Sequence, residues 1–434
     1  VQDITDSVTA ITGDNIAESG IKHVFDLQQN SPCLIVGQTQ TATTSKFSIL
    51  CIGTSYNNFG LESSVGLYVD GVYRSRQNSM INELVDIEAI EVLRGPQGTL
   101  FGKNTPQGAI NMRTVAPSTG ETNGYIEASG GEFGLVRLAA AGNFSLSDNT
   151  AVRATVFSNT RDGYVDDYNG ATDVYNDRDR FGARLQLAYS NDDNFDMRII
   201  ADYSEIDEVC CVALSRVDSI FAKGYTDPGS SVPTGQVPGS DFILFGLGGT
   251  IFSQDTFDAA TVGLITAVAQ GGGLPGNGTI IGDTPFDTYA VLLNQRPHST
   301  SEDSGLSLEM NWDLDNDMTV TSITGYRAFD TTSTIDADFT NVALLNRQQR
   351  AQQSSISQEL RLSGTIGDRG NFVTGLYYFD QDLDNQRNTN GEPFLGAYLD
   401  AAEAQLPLAV GLVDGAAGLD ALAGDGTIMP VSYT

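Results

Sequence analysis

The stretch that decides the fold is Val85-Asp-Ile-Glu-Ala-Ile-Glu-Val-Leu-Arg-Gly-Pro-Gln-Gly-Thr-Leu-Phe-Gly-Lys-Asn104, followed at once by Gly108-Ala-Ile-Asn111. Asp86 reads as the cap of a helical turn through Ile90, and Glu91 to Arg94 as a strand. Gly95-Pro-Gln-Gly98 is a sharp loop, and Gly108 to Arg113 a closing strand. Gly95, Gly98, Gly102 and Gly108 permit tight turns and close backbone approach, which a small domain packed into a confined space needs.

Upstream, Ser7 to Ile11 alternates as a strand. Asp14 caps a short helix that Gly20 ends. Val24, Phe25 and Leu27 suggest one more turn, stopped before Pro32. Leu34 to Gly37 and Lys46 to Gly53 read as short strands. Gly66 to Tyr73 reads as a hairpin turning at Asp70-Gly71. Residues 1–118 therefore form a compact mixed domain.

Val69-Asp70-Gly71, the run from Val85 to Asn104 and Gly108-Ala-Ile-Asn111 together resemble the plug of TonB-dependent outer-membrane receptors, position by position, for over forty residues in order. Ser7-Val-Thr-Ala, Ser31-Pro32 and Ile49 to Gly53 fall where that family has its early plug strands. The resemblance implies a plug seated in a β-barrel of the outer membrane of a Gram-negative cell. It implies active uptake of a scarce solute, such as an iron–siderophore complex, driven through the TonB complex of the inner membrane. The implied partners are a small-molecule or metal-chelate substrate, outer-membrane lipid and lipopolysaccharide, with no resident cofactor. Two departures stand out. Ile49-Leu50-Cys51 replaces the family's Ile-Arg-Gly, so an arginine that helps hold plug to barrel is absent. Pro32-Cys33 replaces Pro-Gly. Cys33 and Cys51 could form a disulfide in the oxidising periplasm, or stay as two buried free thiols.

Beyond Pro117 the texture changes. Tyr125, Glu127 and Ser129 interleave with Ile126 and Ala128. Segments of period two follow at Leu135–Phe144, Ala151–Asn159, Phe181–Tyr189, Phe195–Tyr203, Ser304–Trp312, Met318–Phe329, Ser355–Leu362 and Phe372–Phe379. Each is about the length a barrel strand needs. Short connections at 145–149, 190–194, 313–317 and 364–370 alternate with longer ones at 160–177, 205–303 and 330–353. A membrane barrel, with turns on one rim and loops on the other, predicts that sorting. Phe144, Tyr189, Tyr203, Trp312 and Phe329 suit interfacial girdles, with core packing as the alternative. The expectation is a mixed α/β plug domain followed by antiparallel transmembrane β-barrel strands, an incomplete barrel of the 22-stranded type, over residues 119–434. Nine strands cannot close such a barrel, so the sequence reads as part of a longer protein.

Composition narrows the function classes. Lys plus Arg number 23 against 55 Asp plus Glu, a net charge of −32. That balance opposes a nucleic-acid partner, whose phosphates need basic patches. No apolar run is long enough for a membrane helix, which leaves the closed barrel as the spanning form. Two histidines, His23 and His298, and four cysteines with no zinc spacing make a zinc site or a catalytic triad untenable, so no enzyme is expected. Gly98 to Lys103 is one residue short of a phosphate loop, and Asn104 stands where Ser or Thr must bind magnesium. Asp313 to Asp317 resembles a calcium loop but has Met318 and Thr324 at the wrong positions, so a barrel turn fits better. Asp162, Asp166, Asp167, Asp173, Asp177 and Asp179 crowd one loop, read as a solvated acidic segment. Cys210-Cys211 is either a vicinal disulfide or pairs elsewhere.

Ligand is expected between barrel loops and the plug apices, at Tyr56, Asn57, Asn58 and Phe59 and at Arg74, Arg76 and Asn78, the arginines holding an anionic group. Arg94 and Arg113 are expected to pair with acids on the barrel wall. The rival readings are a non-transporting surface binding or adhesion barrel, which would need no plug, and a secreted all-β enzyme, which the sorted loops oppose.

Overall fold

The structure is a computed structural model. It describes residues 7–54, 59–76, 79, 83–167, 170–191, 193–212, 289–291, 293–314, 317–337, 345–366 and 370–391. Two β systems account for most of them, one nested against the other.

The first is a small mixed domain. Its central sheet has the order β1 (Ser7–Thr12), β7 (Ile87–Arg94), β8 (Gly108–Thr114), β5 (Glu62–Val69), β6 (Val72–Arg76). The β5–β8 pair is parallel and the other pairs are antiparallel. Alternating apolar residues drive this sheet: Val65 and Leu67 on β5, Ile90 and Val92 on β7, and Ile110 and Met112 on β8 bury one face. A second sheet, β2 (Leu34–Thr39), β3 (Thr41–Ile49) and β4 (Ile52–Gly53), closes the same core with Leu34, Val36, Phe47 and Ile49. Helix α1 (Gly13–Glu18), a 3-10 turn at Val24–Asp26 and helix α2 (Leu27–Asn30) supply Ile16, Val24 and Leu27.

Three local expectations are corrected. The cap of α1 is Thr12, whose Oγ1 accepts from the Asn15 amide, not Asp14. Asp86 caps no helix: β7 begins at Ile87, and Asp86 takes a positive φ of 59° that turns its carboxylate out of the domain. The Gly-rich loop contains a short helix, α3 (Gly98–Phe101). The Asp70-Gly71 hairpin forms as expected, with Val69 opposite Val72.

The second system is an antiparallel nine-stranded sheet among the described residues. It runs in chain order through β9 (Asn123–Gly130), β10 (Val136–Ser147), β11 (Thr150–Arg161), β13 (Arg178–Ser190), β14 (Phe195–Glu208), β16 (His298–Leu314), β17 (Met318–Asp336), β18 (Leu345–Ile366) and β19 (Gly370–Gly391). Two-residue strands β12 (Asp166–Asp167) and β15 (Ala290–Val291) pair in parallel and tie two of the long connections together. No helix among the described residues is long and apolar enough to cross a membrane.

Residue parity separates the two faces of this wall. Leu138, Phe144, Phe181, Leu185, Leu306, Tyr326, Ile356, Leu360 and Leu376 are exposed on the outer face, and Ile126 is 84% exposed. Arg137, Asn143, Arg153, Asn159, Arg180, Gln186, Arg327 and Gln353 are buried on the inner face. Apolar outside and polar inside is the pattern of a wall between lipid and a polar lumen. Tyr189, Phe195 and Trp312 form a chain of ring contacts near the short-turn rim, as a girdle should. Phe329 does not belong to a girdle: it is buried inward against Phe59 and Ala351.

The strands are longer than expected. β18 and β19 have 22 residues each, about twice the span of a bilayer core. Much of what reads as loop, at 205–208, 298–303, 330–336 and 345–353, is strand projecting beyond the apolar band at the long-loop rim. Those segments are mostly polar, with Ile206, Ile335 and Ala351 as buried exceptions, so the alternation that marks a membrane strand is weak there.

Candidate functional site

The small domain faces the inner side of the wall through a layer of buried charges. Three of its carboxylates meet wall arginines. Asp86 receives Nε and Nη2 of Arg153 at 2.7 and 2.5 Å, and the Thr155 hydroxyl at 2.9 Å. Glu83 faces Arg180 and Arg137, each at 3.5 Å, and accepts from Asn159 Nδ2 at 3.0 Å. Asp70 faces Arg198 at 3.3 Å while accepting the amide and hydroxyl of Thr114. Elsewhere the polarity reverses. Arg74 lies 3.2 Å from Asp303 and 3.6 Å from Asp202, and wall Arg327 pairs with the same two carboxylates. Charges removed from water on both sides demand such partners, since an unpaired buried ion costs several kcal/mol.

Shape adds to charge. Gly71, at φ 77°, sits where a Cβ would lie 2.9 Å from Cδ1 of wall Ile323, so the hairpin tip packs flat on β17. Gly305 of β16 leaves the space that the Arg327 side chain occupies. On β19, Phe379 packs edge-on against Tyr73 and lies under Lys103 Nζ at 4.4 Å.

The site residues expected from sequence meet different ends. Tyr56, Asn57, Asn58 and Asn78 lie outside the described residues. Phe59 is 1% exposed and packs on Phe329 and Ala351. Arg74 and Arg76 are no open anion trap: Arg74 is spent on Asp202 and Asp303, and Arg76 donates to Gln353 Oε1 and to the Gly60 carbonyl. Arg94 does not reach the wall. It donates to the Pro32 carbonyl and to Ser7 and Thr9 within its own domain, because β1 lies beside β7. Arg113 is exposed on β8 and makes no ion pair among the described residues.

Cys33 and Cys51 are free and exposed, so neither alternative left open by the sequence, a disulfide or two buried thiols, describes them. Both hold left-handed backbone, φ 63° and 65°. Glycine adopts that conformation without cost, which explains why glycine suits those two positions. Cys210 and Cys211 form a vicinal disulfide that packs with Ala42 and Phe25 of the small domain. Lys103 pairs with Glu62 at 3.0 Å. In the acidic loop, Asp166 accepts the Asp173 amide and Asp177 the Val209 amide, which organises backbone, and Asp167 accepts the Tyr175 hydroxyl.

One apex was not read from the sequence. Gln40, at the tip of the β2–β3 hairpin, accepts from Arg347 of β18, and the Ala42 amide donates to Ser299 of β16. Both wall residues lie at the long-loop ends of their strands. The polar run Thr39 to Ser45 looks like loop, yet Thr41 to Ser45 are buried in β3.

A domain of this size held by buried charges against the polar inner face of an antiparallel membrane wall defines a plugged outer-membrane barrel. The comparisons with known proteins agree. The family model of the TonB-dependent Receptor Plug Domain matches residues 1–109. The pesticin receptor of Yersinia enterocolitica is 32% identical over 121 residues, 28% of this chain and 17% of that protein. The catecholate siderophore receptor Fiu of Escherichia coli is 28% identical over 159 residues, 36% of this chain and 20% of that one. Among solved structures, the ferric yersiniabactin uptake receptor of Yersinia pestis superposes with a TM-score of 0.65 at 17% identity, over 89% of this chain and 50% of that one. The siderophore receptor PiuA of Acinetobacter baumannii gives 0.57 at 16% identity, over 90% and 46%. The chain spans about half the length of those receptors. Residues 1–109 match the plug domain of TonB-dependent receptors, and the strands that follow share the fold of those receptors' barrels.

Proposed function

We propose that this protein imports an iron chelate across the outer membrane, with the plug released by TonB. The observation that carries the reading is the plug itself, seated on the inner face of the wall by buried charge pairs. A surface adhesin needs no such domain. The relatives named above are receptors, several for ferric siderophores, which supports a metal-chelate cargo and a non-enzymatic role. The protein is an outer-membrane one, and its apolar outer face would meet lipid, with lipopolysaccharide against the projecting strands. Ligand would enter from the long-loop rim, where Gln40 and the ends of β16 to β18 converge.

The test is transport in the native host. Deleting the gene should abolish accumulation of at least one radio-iron chelate, and a protonophore should do the same to the parent strain. Unchanged uptake of catecholate, hydroxamate and carboxylate chelates in the deletion strain would sink the reading.

A further inference from the structure

A gap of about 80 Å³ lies between the plug and the wall. Three arginines line it, Arg74 of the plug and Arg184 and Arg327 of the wall. Strand register brings the wall pair together. Arg184, Asp202, Gly305 and Arg327 follow one another in a single row across β13, β14, β16 and β17. Gly305 has no side chain, so Arg327 reaches across it to Asp202. All three arginines make their contacts through Nη atoms. Arg74 and Arg327 direct theirs at Asp202 and Asp303, and Arg184 donates Nη2 to the Val85 and Asp86 carbonyls. In each of the three, Nε is buried and has no acceptor among the described residues. A buried donor without an acceptor carries a desolvation cost that a bound group would recover.

The charges point the same way. Arg74, Arg153, Arg184, Arg198 and Arg327 meet Asp70, Asp86, Asp202 and Asp303 at 3.7 Å or closer, five guanidiniums to four carboxylates. Glu83 also lines the gap, but Arg137 and Arg180 already hold it. Glu309 stands opposite Arg198 in register and does not line the gap. Water in the gap would satisfy the three Nε groups and leave the surplus positive charge in place. An anion satisfies both.

We propose that this gap binds a small monovalent anion of the halide class, held by Nε of Arg74, Arg184 and Arg327 and by the hydroxyls of Ser204 and Ser307, which also line it. Size and lining select the class. The volume admits a chloride with room for water. Val72, Met112 and Ile200 make part of the lining apolar, which suits a weakly hydrated ion. One monovalent ion balances a single surplus charge, whereas sulfate or phosphate would bring further negative charge against Asp202. The anion bridges β6 of the plug to β13 and β17 of the wall, so it belongs to the plug's seat and not to its cargo. It goes beyond the uptake reading and holds whichever solute is carried.

The experiment places the full-length receptor, in detergent, in sodium chloride, sodium bromide or sodium gluconate at equal ionic strength. Gluconate is too large for the gap. Hydrogen exchange in β6 should be about tenfold slower in chloride or bromide than in gluconate, the protection conferred by a ligand at about ten times its dissociation constant. Arg184→Gln removes the surplus charge and should exchange at one rate in all three salts. Crystals of the wild type grown in bromide should show the bromide's anomalous peak in the gap. Equal wild-type rates in chloride and gluconate would overturn the proposal. So would a halide effect that survives in Arg184→Gln, since it would come from another site. If Arg184→Gln fails to fold, the bromide peak decides: a peak beside the three Nε atoms supports the site, and its absence overturns it.

Discussion

The Asp86 carboxylate of the plug is gripped end-on by Arg153 of the wall, with Nε on one oxygen at 2.7 Å and Nη2 on the other at 2.5 Å. Both side chains are almost wholly withdrawn from solvent. Removing one partner strands the other, at a cost of about 3–5 kcal/mol, whereas removing both together is far milder. Asp86→Asn and Arg153→Met should each speed hydrogen exchange in β7 and lower the unfolding temperature. The double variant should recover much of the loss. Strictly additive losses would mean that the pair does not hold the plug.

The hairpin tip should tolerate no side chain. Gly71→Ala adds a methyl 2.9 Å from Ile323 Cδ1 and forces alanine into φ 77°. The left-handed backbone alone costs about 1–2 kcal/mol. Ile323→Val in the same protein removes the clashing carbon but leaves the backbone cost. A melting temperature partly restored by the second change is expected; no restoration would show that the tip does not press on β17.

How much of this was legible in sequence follows from what each residue faces. The membrane strands were readable because lipid on one side and polar lumen on the other impose alternation, as at Phe181 to Tyr189. The strand ends above the membrane were not, because Asn346 to Gln353 are polar but for Ala351 and look like loop. The plug motif gave the domain, but its loop Gly95 to Gly108 shows only where glycine is needed. The charge pairs were read in reverse. Arg94 drew attention as a cation, yet β1 lies beside it, and strand order is not written in any local pattern. Glu83 drew no notice and Asp86 was read only as a helix cap, because 55 acidic residues make any one of them uninformative as a partner.

Cys33 and Cys51 make a prediction about backbone rather than redox chemistry. Alkylating the unreduced protein should label these two thiols and leave Cys210 and Cys211 unlabelled. Cys33→Gly and Cys51→Gly should each stabilise the plug by up to about 1 kcal/mol, since φ 63° and 65° cost a side chain and cost glycine little. The larger conformational freedom of glycine in the unfolded chain offsets part of the gain. Lower melting temperatures in both variants would show that the cysteine side chains contribute more than the backbone strain removes.

His23 should make the plug sensitive to acid. Burial is the dominant influence and pushes its imidazole below the ordinary value of 6.5. Asp26, 3.2 Å from Nδ1, and Glu83 oppose that shift, while Arg178 and Arg180 reinforce it. The neutral ring is therefore favoured in the folded state, and the unfolded chain binds the proton more readily. Stability from this group is complete above pH 6.5 and declines as pH falls below it. His23 also packs edge-on against Phe25, which packs on the small cluster that holds Cys210, so protonation should loosen that corner first. Melting temperatures measured between pH 7.5 and 5.5 should fall less steeply in His23→Gln than in wild type. Identical slopes would show that His23 does not set the acid response of the plug.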